Sequence, residues 1–250
     1  MASKFELFAS LHRPGDPVIL YNIWDPGSAQ AVERAGAKAI ATGSHPVGDA
    51  SGFGDAQQVP IDFVLDNAKR VASAVNLPVT IDFESAYAVE PEESGANVAR
   101  LKATGAVGCN FEDQVIGGEG LHPLDRQCRR IAAIREAVGP EFFINARTDL
   151  LLKTQTYDDA LVGEVIERGK AFADSGASGF FVPRLSDLRQ VERVVREVPL
   201  PLNVIAFPGA PANRDWANAG VARISYGPFP HRALMKQLED WARDAIASVR

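Results

Sequence analysis

Short apolar runs recur eight times along this 250-residue chain, at 17–23, 37–43, 78–83, 106–112, 142–148, 179–183, 202–207 and 222–227. Runs of this length, rich in β-branched and aromatic residues, read as strands buried on both faces, the mark of a parallel sheet. Amphipathic segments lie between them. In 125–138 the spacing puts Ile131, Ile134 and Val138 on one helical face, with Arg129, Arg130 and Glu136 elsewhere; 157–175 and 186–198 have similar spacing. Gly36, Gly105, Gly139, Gly176 and Gly220 fall one to three residues before a strand run, where a helix ends in a left-handed residue. Eight βα units of this regularity predict one α/β domain over 1–250, a (β/α)8 TIM barrel. The alternative is an open doubly wound sheet. Its nucleotide-binding form follows the first strand with a Gly-x-Gly-x-x-Gly turn, whereas this chain reads Trp24-Asp25-Pro26-Gly27-Ser28.

Hydrophobic residues make up 46% of the chain, enough for one large core. A net charge of −6 argues against general affinity for nucleic acid or for an anionic membrane, so neither is expected as a partner. The first residues lack the basic and apolar regions of a signal peptide, and no apolar run has the length of a membrane span; a cytoplasmic location is expected. Cys109 and Cys128 have no zinc or disulfide spacing and read as reduced thiols.

Three successive strand runs end in charge: Asp82 and Glu84 after the third, Glu112 and Asp113 after the fourth, Arg147 and Asp149 after the fifth. In a barrel these ends share the rim that carries the chemistry. Asp82 and Glu84 are two apart and point the same way if the segment is extended. With Glu112 they offer oxygen ligands to a hard cation such as Mg²⁺, which takes one or two carboxylates directly and keeps several waters. Arg147 can grip a carboxylate or phosphonate in two hydrogen bonds, or else pair with Glu112 or Asp149. Thr42, Gly43 and Ser44 close the second run, and their hydroxyls and N–H groups can take the substrate's other anionic end. The glycine-rich stretches 43–59 and 113–124 read as loops that cover the rim, and His45 and His122 within them are candidates for proton transfer. There is no Gly-x-Ser-x-Gly elbow, and no lysine at the strand ends for a Schiff base.

These residues resemble those of the isocitrate lyase/phosphoenolpyruvate mutase superfamily. The matching pieces are Asn22-Ile23-Trp24-Asp25 with Ser28-Ala29, Ala41-Thr42-Gly43-Ser44, Gly52-Phe53-Gly54-Asp55, Ile81-Asp82-Phe83-Glu84, Asn110-Phe111-Glu112-Asp113-Gln114 and Asn145-Ala146-Arg147-Thr148-Asp149. The resemblance implies a (β/α)8 barrel that binds Mg²⁺, with Mn²⁺ as the alternative, and a small anionic 2-oxo or 2-hydroxy acid. It implies a carbon–carbon lyase or decarboxylase working through a pyruvate-type enolate. The alternatives are P–C chemistry on phosphonopyruvate or carboxyphosphonate, and an oxo-acid-binding member without turnover. Carried over by position, Asp82, Glu84 and Glu112 are the metal-site carboxylates. Arg147, Asp55 and Glu112 take the catalytic positions, and Thr42, Gly43, Ser44, Asp82 and Arg147 the substrate positions.

Two departures stand out. The family's isocitrate and methylisocitrate lyases carry a Lys-(Lys/Arg)-Cys-Gly-His lid motif; here Gln114 is followed by Val115-Ile116-Gly117-Gly118-Glu119-Gly120-Leu121-His122, so isocitrate cleavage is not expected. The family's Asp-x-Asp-x-Gly-(Tyr/Phe)-Gly becomes Asp82-Phe83-Glu84-Ser85-Ala86-Tyr87-Ala88. The resemblance also implies a homodimer or homotetramer in which the last helix, within 231–250, packs on a partner subunit. In 231–249, Leu234, Leu238, Trp241 and Ile246 share one apolar face.

Overall fold

A computed structural model describes residues 2–54, 56–152, 154 and 156–249. Its eight parallel strands are β1 (Val18–Leu20), β2 (Ile40–Ala41), β3 (Val79–Asp82), β4 (Gly108–Glu112), β5 (Phe143–Arg147), β6 (Gly179–Phe181), β7 (Leu202–Ile205) and β8 (Arg223–Ser225). Each lies inside one of the eight apolar runs. The helices are α1 (Lys4–Ser10), α2 (Pro26–Arg34), α3 (Ser44–Ser51), α4 (Ile61–Ala74), α5 (Pro91–Lys102), α6 (Leu124–Val138), α7 (Asp159–Asp174), α8 (Leu188–Glu197), α9 (Asn213–Asn218) and α10 (Phe229–Ala247). All five glycines expected at helix ends have positive φ.

The strands hydrogen-bond in the order β1-β8-β7-β6-β5-β4-β3-β2. The seam between β1 and β2 is closed just beyond both strands by a parallel bridge from Ile23 to Thr42. There Ile23 N donates to Ala41 O (2.9 Å) and Gly43 N donates to Ile23 O (3.1 Å). This is the (β/α)8 barrel, and its closure leaves no strand edge open. Gly179 sits where β6 faces Asn145 and Phe143 across the sheet. A Cβ there would lie 2.8 Å from both the Asn145 amide oxygen and the Phe143 ring, so only glycine leaves room for them.

The opposite end of the barrel is plugged by α1. Phe8 packs edge-on to Phe143, and the His12 ring stacks on Phe143 at 4.2 Å. Burial, with Arg223 adding to it, pushes the His12 pKa down to about 3, so this histidine is a neutral packing group. The apolar face of α6 is buried as its spacing predicts, but Arg130 is buried with it. The stretch 43–59 is not loop throughout: α3 occupies Ser44–Ser51. In 113–124, Gln114 and Leu121 form an antiparallel bridge, making the segment a short pinched loop. Among the described residues no helix is long and apolar enough to cross a membrane.

α10 leaves the barrel. Pro230 and His231 are buried at its start, but Leu234, Leu238, Trp241 and Ile246 stand exposed, Trp241 at 59%. An uncovered aromatic and aliphatic face on a 19-residue helix is a feature of association surfaces. Light scattering on the intact chain is therefore expected to give at least a dimer, and removal of 231–250 to give aggregated or unfolded protein. A stable 26.9 kDa monomer at micromolar concentration would rule out helix exchange.

Candidate active site

The C-terminal ends of the strands surround a cavity of about 560 Å³ whose wall includes Asp82, Glu84, Asn110, Glu112, Arg147 and Arg184. The register explains the convergence. Asp82, Asn110 and Asn145 are in register on β3, β4 and β5, and one step nearer the rim Glu112 is in register with Arg147.

Asp82 is held by its neighbours. Ser44 donates to Oδ2 from both its backbone N (3.1 Å) and its hydroxyl (2.9 Å), and Asn110 Nδ2 donates to Oδ1 (3.0 Å). Its own N–H donates to the Thr42 hydroxyl (3.0 Å). Thr42 thus sits behind Asp82, and the N–H groups of Gly43 and Ser44 are engaged within the fold rather than presented to a ligand. Asp82 serves α3 as a cap supplied from another strand, since Gly43 has no side chain to do so.

Asn110 belongs to a polar network inside the barrel. Its Oδ1 accepts from Asn145 Nδ2 (2.8 Å) and from Arg223 Nη2 (3.0 Å), while Asn145 also donates to Asn203 Oδ1 (2.9 Å). Arg223 is fully buried in the barrel and its hydrogen bonds are to amide and hydroxyl oxygens rather than to a carboxylate. The amides are visible in the sequence as polar residues inside apolar runs.

The segment after Asp82 is not extended. Glu84, Ala86 and Tyr87 have φ of +50°, +58° and +55°, left-handed values that cost a non-glycine residue about 1 kcal/mol or more each. Arg130 holds this turn. One of its terminal nitrogens lies 2.8 Å from each of Ser85 O, Ser85 Oγ and Ala88 O, and its guanidinium lies 4.6 Å over Phe111. Gln57 N donates to Glu84 Oε1 (3.2 Å). With the Gln57 amide turned as the hydrogen-bond pattern requires, its oxygen accepts from Ser85 N and Tyr87 N at 3.0 Å. Tyr87 is hydrogen-bonded to Glu84; burial and the surrounding carboxylates raise its pKa. Asp55 lies outside the described residues.

Arg147 makes both of the pairs its sequence neighbours allow. Nη1 meets Glu112 Oε2 at 2.9 Å, and Nε and Nη2 meet the two Asp149 oxygens at 2.6 and 3.0 Å. Asp149 N in turn donates to Asp113 Oδ1 (2.9 Å), whose other oxygen pairs with Arg168 (3.1 Å). Burial pushes Asp113 up to about 6. Glu112 is held well above the usual carboxylate range, first by burial and then by Asp149, Asp82 and Glu84, with Arg147 opposing.

Among the described residues no three His, Cys, Asp or Glu side chains close on a point as a complete metal cage. Around Arg147 the acids Asp82, Glu84, Glu112 and Asp149 outnumber the arginine, and that excess fits a dication that takes one or two carboxylates directly and fills the rest of its shell with water. His45 lines the cavity, 3.2 Å from Asp49 and 2.9 Å from Arg232. His122 lies on a separate cavity with Gln57 and Tyr87, and burial followed by Arg130 pushes its pKa down to about 4.

The network makes Asn110 a point of failure. Asn110→Leu removes the donor to Asp82 and the acceptor of a buried guanidinium, and is expected to cost about 2–4 kcal/mol in chemical denaturation. A loss below about 1 kcal/mol, the size of an ordinary hydrogen bond, would show that Arg223 is satisfied without it.

The comparisons agree with this geometry. The family model for phosphoenolpyruvate phosphomutase matches residues 8–246. An uncharacterised protein of Mycobacterium tuberculosis (strain H37Rv) is 33% identical over 226 residues, covering 90% of this chain and 83% of that protein. The 2-methylisocitrate lyase of Vibrio cholerae is 27% identical over 268 residues, covering 98% and 82%. A crystal structure from Burkholderia cenocepacia J2315, provisionally described as a phosphonomutase, is 40% identical with a TM-score of 0.94, covering 97% of this chain and 98% of its own. Barrel, rim carboxylates and a match over nearly the whole length agree, and the chain belongs to the phosphoenolpyruvate mutase/isocitrate lyase family of enzymes.

Proposed function

We propose that this chain is a Mg²⁺-dependent lyase for a small 2-oxo or 2-hydroxy acid, cleaving a C–C bond or releasing CO₂ through a pyruvate-type enolate. The observation that carries the reading is the cluster of Asp82, Glu84 and Glu112 beside Arg147 in one cavity at the barrel mouth. Asp82, Glu84 and Glu112 would hold the ion, some of them through water. When bound, Mg²⁺ supplies Lewis acidity that lowers the cost of a negative enolate oxygen. Mn²⁺ suits the same oxygen donors.

The chain's own groups do the rest. Asp82, fixed by Ser44 and Asn110, keeps lone pairs free, because a carboxylate has about four acceptor sites and three donors occupy it. Arg147 keeps two N–H groups beyond those bound to Glu112 and Asp149, enough to orient a substrate carboxylate. Gln114 and Ile116, from the loop after β4, reach the same cavity and would cover it against water.

The phosphomutase family model and the Burkholderia phosphonomutase-like structure favour a second reading, P–C chemistry on a phosphonopyruvate-type acid. A panel of 2-oxo and 2-hydroxy acids, assayed with Mg²⁺ and with EDTA, tests the first; phosphonopyruvate followed by ³¹P NMR tests the second. Turnover of a carbon acid that EDTA abolishes is the expected result. Asp82→Ala is expected to remove it, and undiminished activity in that variant would discard the assignment. Binding of an acid by calorimetry with no turnover of any would make the chain a binding member of the family instead.

Glu112 gives a pH test. The folded chain holds its proton to higher pH than the unfolded chain does, so on this group's account stability falls as pH rises through that interval. A dication competes with that proton. The rise in melting temperature on adding Mg²⁺ is expected to grow as pH rises above the ordinary carboxylate range. A rise that is flat with pH would mean that Glu112 is already ionised without the metal.

A further inference from the structure

The cavity holds more positive charge than the reaction centre uses. Arg147 is answered by Glu112 and Asp149. Arg232, at the start of α10, meets the His45 ring at 2.9 Å. Arg184, in the loop after β6, lies in the same wall. Among the described residues it makes no ion pair; its guanidinium lies 5.7 Å over the Phe207 ring, in the wall of the cavity that holds Asp82 and Arg147. Its φ is +71°, a left-handed value that glycine takes freely and arginine does not. An exposed position that suits glycine here carries the bulkiest cation, aimed into a pocket. Surface arginines that serve only solubility have no need of strained backbone, and such strain concentrates at ligand sites.

We propose that Arg184 determines specificity, receiving the second anionic group of the substrate, so that dianionic acids such as oxo- or hydroxy-dicarboxylates are preferred to monocarboxylates. This rests on the oxo-acid function proposed above. The first carboxylate belongs at the Asp82–Arg147 end, and the cavity runs from there past Phe181 to Pro183, Arg184 and Phe207 beyond β6 and β7. Charge balance requires a further cation. A dication and Arg147 do not fully offset Asp82, Glu84, Glu112 and Asp149, so nothing in that set is left for a second substrate charge. Arg184 supplies it next to the apolar surfaces of Phe207 and Pro208, where a charge pair is screened less than in open water.

The backbone strain separates a binding role from a structural one. Arg184→Gly relieves the left-handed residue, so it is not expected to lower the melting temperature. In calorimetry on the Mg²⁺-loaded chain, wild type is expected to bind oxaloacetate more tightly than pyruvate. Arg184→Gly should weaken oxaloacetate by about tenfold or more while leaving pyruvate within about twofold, as loss of one charge-assisted contact dictates. Arg184→Lys, which keeps the charge, should recover part of the difference. Unchanged oxaloacetate affinity in Arg184→Gly overturns the inference and leaves the oxo-acid function standing. A lowered melting temperature with both acids weakened alike makes Arg184 structural and also overturns it. A wild-type chain that binds neither acid overturns the functional reading and this inference with it.

Discussion

The structure turns on the carboxylate of Asp82. It ends β3, caps α3 through Ser44, and takes the amide of Asn110 from β4. Its backbone is tied to Thr42, and Thr42 is half of the bridge that closes the barrel between β1 and β2. Closure of the sheet, the start of the segment over the mouth, and the orientation of the Asp82 carboxylate are therefore one set of hydrogen bonds. In a low-dielectric interior each missing member of such a set is costly, because it leaves a polar group that water cannot reach. Arg223 extends it downward. A buried cation in contact with Asn110 rather than with Asp82 leaves the carboxylate free on the side that faces the cavity, while its charge still acts on it.

The turn at 84–88 shows the cost of placing Glu84. Three left-handed residues in four positions would not persist in an isolated loop. They persist because Arg130 reaches from α6 to three acceptors of the turn and Gln57 reaches from the loop after α3 to two of its N–H groups. Where the family has glycine in this motif the chain has Ala86 and Ala88, and Ala86 takes the left-handed conformation nonetheless. The position of Glu84 is thus set by contacts from two other segments, not by strand periodicity.

That distinction governs what the sequence revealed. All eight strands were legible because buried parallel strands are continuous apolar runs, and Gly105 or Gly176 marked helix ends by a conformation only glycine takes easily. Asp82, Glu84, Glu112 and Arg147 were legible as rim residues because charge directly after an apolar run must lie on a rim, and all four line one cavity. α3 was hidden: Ser44-His45-Pro46-Val47-Gly48 is a poor helix sequence, and its cap comes from Asp82, 38 residues away. The burial of Arg130 was hidden for the same reason, since its acceptors in the turn, on Ser85 and Ala88, lie more than 40 residues back along the chain. Pairing of Arg147 with both Glu112 and Asp149 was open in the sequence as alternatives; the register of β4 against β5 makes the first, and an Asp two residues on makes the second.

Charge also orders the events at the mouth. Asp82, Glu84, Glu112 and Asp149 crowd around Arg147, while Arg184 and Arg232 stand further along the cavity wall, so an anionic acid that arrives before a cation meets repulsion at the carboxylate end. Burial, with the same field adding to it, raises the proton affinity of Glu112. A proton and a dication are two ways of relieving one excess of negative charge. Only the dication leaves the carboxylates ionised, and only then do Arg147 and Arg184 face an incoming acid without an unbalanced set of anions behind it. On the proposed function the cation must come first, and the acid follows into a site whose excess negative charge has already been offset.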